Sequence, residues 1–136
     1  MAMKTFVNLP VKDLSRTTEF FGKLGFEFDP VFTDENATRM IVSEDTSVML
    51  VAEPFFREFI TPQDIADTST NKEVIVGLSA ESREQVDDLA DRAVEAGGQA
   101  LGEPQDDGFM YMRGFHDLDG HQWSFIYMDM SAIPED

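Results

Sequence analysis

The feature that most constrains the fold of this chain is a pattern that occurs twice. In the first half, residues 4–11 alternate like a strand, and Asp13 can then cap an amphipathic helix that three strand-like runs follow. In the second half, residues 73–79 have a strand pattern, and Ser82 and Gln85 have capping-box spacing at the start of a helix. Strand-like runs follow that helix as well. Each half is therefore predicted to be β-α-β-β-β.

One such unit leaves a face of its sheet uncovered, so two units are expected to pack together. The sequence thus predicts an α+β domain of two βαβββ modules, whose curved mixed sheets lie around a cleft. We place the modules at about residues 3–53 and 72–130. The segment 54–71 between them is predicted to be a lid over the cleft or a connector whose phenylalanines fill the core. Its apolar residues, which fit one side of a short helix, are Phe55, Phe56, Phe59 and Ile60.

Composition limits the class of protein. A chain of 136 residues with 42% hydrophobic and 11% aromatic residues can bury the core of one compact domain. The absence of cysteine excludes disulfides and thiolate chemistry. No apolar run approaches the ~20 residues that span a bilayer, and the start does not resemble a signal peptide. We therefore expect a cytoplasmic protein that does not enter membranes.

The charge of the chain limits its partners. Ten basic residues against 27 acidic ones give a net charge of −17. Such a field repels phosphate backbones, so nucleic acid and anionic membrane surfaces are not expected as partners. It would attract a cationic ligand, or it would only keep the protein soluble.

Two stretches resemble a known superfamily. Residues 9–28, LPVKDLSRTTEFFGKLGFEF, are similar to the first module of the vicinal-oxygen-chelate superfamily, and residues 115–125, FHDLDGHQWSF, resemble its second module. That superfamily includes glyoxalase, extradiol dioxygenases and the bleomycin- and fosfomycin-resistance proteins. The resemblance covers nearly the whole chain and implies the two-module fold around a cleft. It does not imply one activity, because this scaffold supports isomerases, oxygenases, transferases and binding proteins.

The resemblance also implies where a metal would bind. Metal-dependent members place a ligand on the first and last strand of each module, and the corresponding positions here are Phe6, Leu50, Ile75 and Ser124. Three of these side chains have no lone pair, and a serine hydroxyl is a weak neutral ligand. We therefore predict neither a metal nor another cofactor. A divalent metal belongs only to the alternative in which the ligands are non-standard.

The two histidines of the chain stand on either side of a D-L-D-G turn. A site built from His116, His121 and the aspartates of the turn would need side chains that diverge around a tight turn. We expect turn or surface histidines instead, with Asp117 and Asp119 bonding to the backbone of the turn.

Strand alternation then predicts the cleft. If the first strand directs Phe6 and Asn8 inward, we expect the later strands to add apolar and a few polar side chains. An inward Arg113 would pair with a carboxylate or phosphate of a ligand, whereas the other possibility is an ion pair with an acidic residue of the protein. The candidate ligand-binding residues are Phe6, Asn8, Leu50, Tyr111, Arg113 and Ser124.

The sequence leaves three functions open. The first is metal-free binding or sequestration of a small aromatic or cationic molecule, by a protein that we expect to be a homodimer. The second is a glyoxalase- or dioxygenase-type enzyme, similar to lactoylglutathione lyase, with Tyr111 or His121 as the acid–base group. The third is a domain whose main role is dimerisation. We predict the first of these.

Overall fold

The computed structural model describes residues 3–132. The chain divides into two compact units, with the boundary between Asp67 and Thr68. Each unit has one four-stranded mixed sheet, which confirms the predicted α+β class and the two βαβββ modules. The predicted division into modules and linker, and the cleft between the modules, stay predictions. Within residues 3–132, no helix is long and apolar enough to cross a membrane.

Unit 1 contains the first sheet, in the order β1-β4-β3-β2. β1 runs parallel to β4, and the other neighbours are antiparallel. A short 3-10 turn at Pro30–Phe32 follows β2. The elements are β1 (Thr5–Val11), α1 (Leu14–Lys23), β2 (Glu27–Asp29), β3 (Ala37–Ile41), β4 (Thr46–Ala52) and α2 (Glu53–Ile60).

Unit 2 repeats this arrangement, and within its described residues, 68–132, no counterpart of α2 follows the last strand. Its sheet has the order β5-β8-β7-β6, with β5 parallel to β8 and the other neighbours antiparallel. A 3-10 turn at Met130–Ala132 follows the last strand. The elements are β5 (Ile75–Ser79), α3 (Arg83–Glu95), β6 (Gln99–Asp106), β7 (Met110–His116) and β8 (Gln122–Met128).

The helix starts follow from local capping bonds. The carboxylate of Asp13 accepts a hydrogen bond from the Arg16 amide at 3.1 Å, so α1 begins after Asp13 as predicted. The Ser82 hydroxyl accepts from the Gln85 amide at 3.0 Å. The Gln85 side chain in turn accepts from the Glu81 amide at 2.6 Å, which is one residue earlier than in a standard capping box.

The sheet of unit 1 has two different faces. The face against α1 forms the core, where Met40, Val48, Leu50, Phe20 and Phe21 are all buried. The opposite face, which we call the α2 face because α2 packs on its β1–β4 end, follows from the strand register. Its residues are Phe6, Asn8, Asp29, Arg39, Ser47, Met49 and Val51.

The predicted place of Leu50 was wrong. Leu50 pairs with Leu9 and Thr38, and it is fully buried on the α1 side of the sheet, whereas Phe6 and Asn8 lie on the α2 face. The β4 partner of Asn8 is Met49. The reason is that β4 buries residues on both faces, so its sequence has no polar alternation to fix which side chains point which way.

α2 is the short helix expected within residues 54–71. It begins directly where β4 ends, and none of its residues is buried. The rings of Phe55 and Phe59 meet edge to face, with centroids 5.0 Å apart, and Phe59 is 73% exposed. The phenylalanines of α2 therefore do not fill the core of unit 1, and the role of a lid stays a prediction.

Candidate functional site

A groove of about 360 Å3 lies between α2 and the α2 face of unit 1. Its floor is formed by Asn8 of β1 and Val51 of β4, and its wall by residues of α2. The helical residues at the groove are Phe56, Phe59 and Ile60. Apolar walls with a single amide are typical of sites for small organic molecules, and the volume lies at the lower end of their range.

The sequence of α2 explains why its apolar residues meet the groove. Pro54 stands in the first turn, where the missing amide hydrogen has no intrahelical role. Phe56, Phe59 and Ile60 are separated by three and four residues, so they share one side of the helix. That side lies toward Asn8 and Val51. The helix thus adds a wall of large apolar side chains to the groove. None of the residues of α2 is buried in the core.

Asn8 is the polar group of the groove. It is exposed, and its side-chain amide makes no hydrogen bond to any residue within 3–132. An amide offers two donors and a carbonyl acceptor, so Asn8 can orient a ligand without adding charge.

Arg39 lies on the same face and was missed by the sequence reasoning. Its Nε donates to Ser47 Oγ at 2.7 Å and its Nη1 to Asp29 Oδ2 at 3.1 Å. The guanidinium carbon lies 5.6 Å from the ring centroid of Phe6 and 5.5 Å from that of Phe32. Two bonds and two aromatic rings therefore fix this guanidinium on the α2 face.

Three predicted site residues lie on the sheet face opposite their unit's core helix. Phe6 and Asn8 are two residues apart on the α2 face. In unit 2, Ser124 is paired with Gly77 and Gly114, on the face opposite α3, and it is buried. Whether these residues bind a ligand stays a prediction.

Tyr111 and Arg113 were predicted in the cleft, and this placement was wrong. Both lie on the face that α3 covers, together with the buried Phe115. Tyr111 OH donates to Asp87 Oδ1 at 2.6 Å, and Arg113 Nη1 donates to Asp87 Oδ1 at 3.2 Å and to Asp91 Oδ1 at 2.9 Å. Arg113 therefore forms an ion pair with acidic residues of the protein, which was the other possibility that the sequence left open.

This environment makes Tyr111 a poor acid–base group. The hydrogen bond to Asp87 raises the pKa of the Tyr111 phenol, and burial and the charge of that carboxylate act in the same direction. A general acid–base group works best when its pKa is near the working pH. The observed contact moves Tyr111 away from that condition.

The metal-ligand positions of the superfamily do not fit a metal here. Phe6 has no donor atom, and the residues opposite Phe6 and Asn8 on β4 are Ser47 and Met49. In unit 2 the corresponding positions hold Ile75 and Ser124. Among residues 3–132, no group of three or more His, Cys, Asp or Glu side chains could hold a metal ion. The absence of a cofactor stays a prediction.

The D-L-D-G turn is held by Asp117. Its carboxylate is buried and accepts from the Asp119 amide at 2.9 Å, the His121 amide at 3.0 Å and Trp123 Nε1 at 2.9 Å. This confirms the prediction that Asp117 bonds to the backbone of the turn. Burial raises the pKa of Asp117, against the lowering effects of His121 and of these three donors.

Comparison with known proteins agrees with the fold. The family model of the Glyoxalase/Bleomycin resistance protein/Dioxygenase superfamily matches residues 5–125. The chain therefore belongs to this superfamily, as the sequence resemblance implied. No curated protein matches the chain in sequence.

Solved structures resemble the whole chain. A hypothetical protein from S. aureus is 29% identical, with a TM-score of 0.77 over 93% of this chain and 94% of the other. A glyoxalase/bleomycin resistance protein/dioxygenase family enzyme from Burkholderia phytofirmans PsJN is 14% identical, with a TM-score of 0.77 over 90% and 96%. The fosfomycin resistance protein FosX from Listeria monocytogenes is 18% identical, with a TM-score of 0.66 over 100% and 95%. The latter two likenesses show the fold alone.

Proposed function

We propose that this protein binds a small organic molecule in the groove of unit 1 without the help of a metal ion, as a binding or sequestering protein. The observation that carries the proposal is the groove of about 360 Å3, whose apolar wall of Phe56, Phe59 and Ile60 faces the side-chain amide of Asn8. Phe59 is large, apolar and 73% exposed, so a ligand that covers it would bury apolar surface. This burial is expected to stabilise the complex.

The superfamily supports this class of function. Its description includes bleomycin resistance proteins, and one structural relative is named for fosfomycin resistance. The ligand positions of metal-dependent members hold side chains that do not suit a metal in this chain. Of the two acid–base candidates in the enzyme alternative, Tyr111 is bonded to Asp87 on the face covered by α3, which weighs against its use as an acid–base group. The homodimer and the cytoplasmic location remain predictions.

The test is a ligand titration followed by 1H–15N NMR. Neutral and cationic aromatic compounds, bleomycin and fosfomycin are added one at a time to the full chain. We expect shifts that cluster at Asn8, at Val51 and along α2. Replacing Phe59 by Ala should weaken the binding of a responding compound by roughly 3- to 10-fold, since part of an aromatic contact surface is removed.

A matched control separates the groove from general hydrophobic contact. Val31 is 81% exposed, and it does not line the groove. Val31→Ala should therefore leave binding unchanged. Equal loss of binding in both variants, or shifts away from the groove, would contradict the proposed site.

The metal-free part has a separate test. Metal content is measured on the purified protein, and its thermal unfolding is followed with EDTA and with added divalent metals. A tight metal would stabilise the folded state in proportion to ln(1 + [L]/Kd) and would raise the melting temperature. A stoichiometric metal together with an EDTA-sensitive melt would overturn this part of the proposal.

A further inference from the structure

We infer that Arg39 is a ligand-binding residue of the α2 face and that it selects molecules with a neutral carbonyl oxygen beside an aromatic or aliphatic body. This inference rests on the proposed function, since it names the chemistry of the ligand that the groove would hold. It assigns a role to a residue that lies beside the groove, not among the side chains that line it.

Arg39 lies in the same row of the sheet as Asn8, which lines the groove. Arg39 pairs with Met49 across β3 and β4, and Met49 pairs with Asn8 across β4 and β1. The three residues therefore form one row on one face. Neighbouring strands are about 4.8 Å apart, so the Cα atoms of Arg39 and Asn8 are separated by roughly 10 Å.

The side chain of Arg39 is held by contacts to residues of the neighbouring strands. The guanidinium donates to Ser47 of β4, and its carbon lies 5.6 Å from the ring centroid of Phe6 on β1. The guanidinium is therefore held between β2 and β4, because Nη1 donates to Asp29 of β2, and it lies beside the ring of Phe6 on the strand that supplies Asn8. Because Phe6 and Asn8 are two residues apart, the guanidinium comes within the length of a small aromatic molecule of the groove.

The Arg39 guanidinium has more hydrogen-bond donors than the two that bond to Ser47 and Asp29. A guanidinium has five N–H donors, and the bonds to Ser47 and Asp29 use Nε and Nη1. Within residues 3–132, Nη2 has no hydrogen-bond partner. The side chain is 17% exposed, so the guanidinium is partly shielded from water. A partly shielded donor in fixed geometry is a stronger recognition group than a mobile surface arginine.

The charge around Arg39 decides which class of hydrogen-bond acceptor it would bind. Asp29 already balances the positive charge of Arg39 at 3.1 Å, and the chain carries a net charge of −17. A ligand carboxylate would meet that carboxylate and the overall negative field. A cationic group would meet the guanidinium itself. A neutral carbonyl oxygen can accept from Nη2 without either repulsion. The ligand expected from the sequence, a small aromatic or cationic molecule, is thereby narrowed to one that carries a neutral carbonyl group.

The test compares three probes of one shape. Acetophenone carries the neutral carbonyl, ethylbenzene lacks it, and benzoate replaces it with a carboxylate. Each is titrated into the full chain and followed by 1H–15N NMR. We expect acetophenone to bind roughly 3- to 10-fold more tightly than ethylbenzene, which is the range of one net hydrogen bond. Benzoate should bind more weakly than acetophenone.

Variants assign the preference to Arg39. Arg39→Met keeps the apolar stem and removes all donors, so the preference for acetophenone should disappear while ethylbenzene binding changes less than about twofold. Arg39→Lys keeps the charge but not the planar fork, and it should lose most of the preference. Arg16→Met makes the same change of charge on the exposed surface of α1 and should leave the preference intact. Thermal melts confirm that each variant is folded.

The outcomes separate this inference from the proposed function. If acetophenone and ethylbenzene bind equally in the groove of the wild type, the inference is overturned and the groove remains a binding site. If the preference persists in Arg39→Met, another residue is the donor and the inference is also overturned. If benzoate binds most tightly and depends on Arg39, the choice of a neutral acceptor is wrong. If no probe and no compound of the wider panel binds, the proposed function itself fails.

Discussion

The guanidinium of Arg113 on β7 donates to the carboxylate of Asp91 on α3 at 2.9 Å. The same nitrogen reaches Asp87, one helical turn earlier, and Asp87 also accepts from Tyr111. A middle strand and the helix that covers it are thus joined by one basic and two acidic side chains. The helix contributes both acids because residues four apart lie on the same side.

Removing Arg113 should affect stability and leave groove binding unchanged. The guanidinium is mostly shielded, but the two carboxylates are about half exposed or more, so solvent screening limits the pair to roughly 1 kcal/mol. Arg113→Met is therefore expected to lower the free energy of unfolding by about that amount, as measured by urea denaturation. A double-mutant cycle with Asp91→Asn gives the coupling. A large loss of ligand binding in Arg113→Met would contradict this result and would support the predicted position of Arg113 in a binding cleft.

The two faces of unit 1 should respond differently to truncation. Leu50 is fully buried against α1, so Leu50→Ala should lower the free energy of unfolding by about 2–5 kcal/mol. Phe6 is 50% exposed on the α2 face, and Phe6→Ala should lower it by about 1 kcal/mol. Chemical denaturation of both variants measures the difference. Similar values would contradict the difference in burial between Leu50 and Phe6.

Gly120 is expected to tolerate no side chain. Its φ of +81° lies in the left-handed region, and an added Cβ would stand 2.5 Å from Thr68 Oγ1. Gly108 has a similar φ of +85° but open space around it, so it isolates the backbone term. Gly108→Ala should destabilise by about 1 kcal/mol, and Gly120→Ala by at least 1 kcal/mol more because of the collision.

Paired thermal or urea melts of the two glycine variants measure this difference. Thr68→Ala removes the atom that an alanine at 120 would meet, and it also removes the hydrogen bond from Thr68 Oγ1 to the Asp119 carbonyl at 2.6 Å. In the Thr68→Ala background the added cost of Gly120→Ala should shrink toward that of Gly108→Ala. An unchanged cost would show that the collision is not the cause.

Arg83 should control the titration of Asp106. Two hydrogen bonds from Arg83, at 2.7 and 3.0 Å, and one from the Gly108 amide lower the pKa of Asp106 to about 2. Arg83→Gln should raise this pKa toward its ordinary value of 3.8, as read from carboxyl 13C shifts. Arg16→Gln, which lies far along the sequence on α1, should leave it unchanged.

The lowered pKa of Asp106 also fixes the sign of a pH effect. The folded pKa lies below the unfolded value, so the unfolded chain takes up the proton first as the pH falls. The stability that Asp106 contributes is therefore complete above about pH 4 and is lost as the pH falls toward 2. Arg83→Gln should flatten this part of the stability profile. An equally steep profile in the variant would assign the effect to other carboxylates.

The two βαβββ modules and the starts of the helices were predictable from the sequence, whereas the face on which individual residues of β4 and β7 lie was not. The starts of both long helices follow from Asp13 and Ser82, because a cap bonds to amides within three residues. The face on which each residue of β4 lies could not be predicted from the sequence, because that strand is buried on both faces. In β7, aromatic and methionine residues alternate, so either set could point to the core; the fully buried Phe115 decides the direction.

Arg39 shows why the candidate site was predicted only in part. Phe6 and Asn8 were expected together because a period of two places them on one side of a strand. The bonds of Arg39, in contrast, go to Asp29 and Ser47, which lie ten and eight residues away on neighbouring strands. No pattern within the strand that holds Arg39 indicates those partners. Only the pairing of β2, β3 and β4 brings them together.

The helix α2 forms a wall of the groove, yet none of its residues belongs to the core. Under the proposed function, substitutions at Phe56, Phe59 or Ile60 should therefore change which ligand the groove binds, with little loss of folding stability. In most binding sites, a change of specificity competes with the packing that keeps the protein folded. Under the proposed function, specificity and folding stability depend on different side chains in this protein, so a change of ligand would require substitutions only within the eight residues of α2 and none in the sheet beneath it.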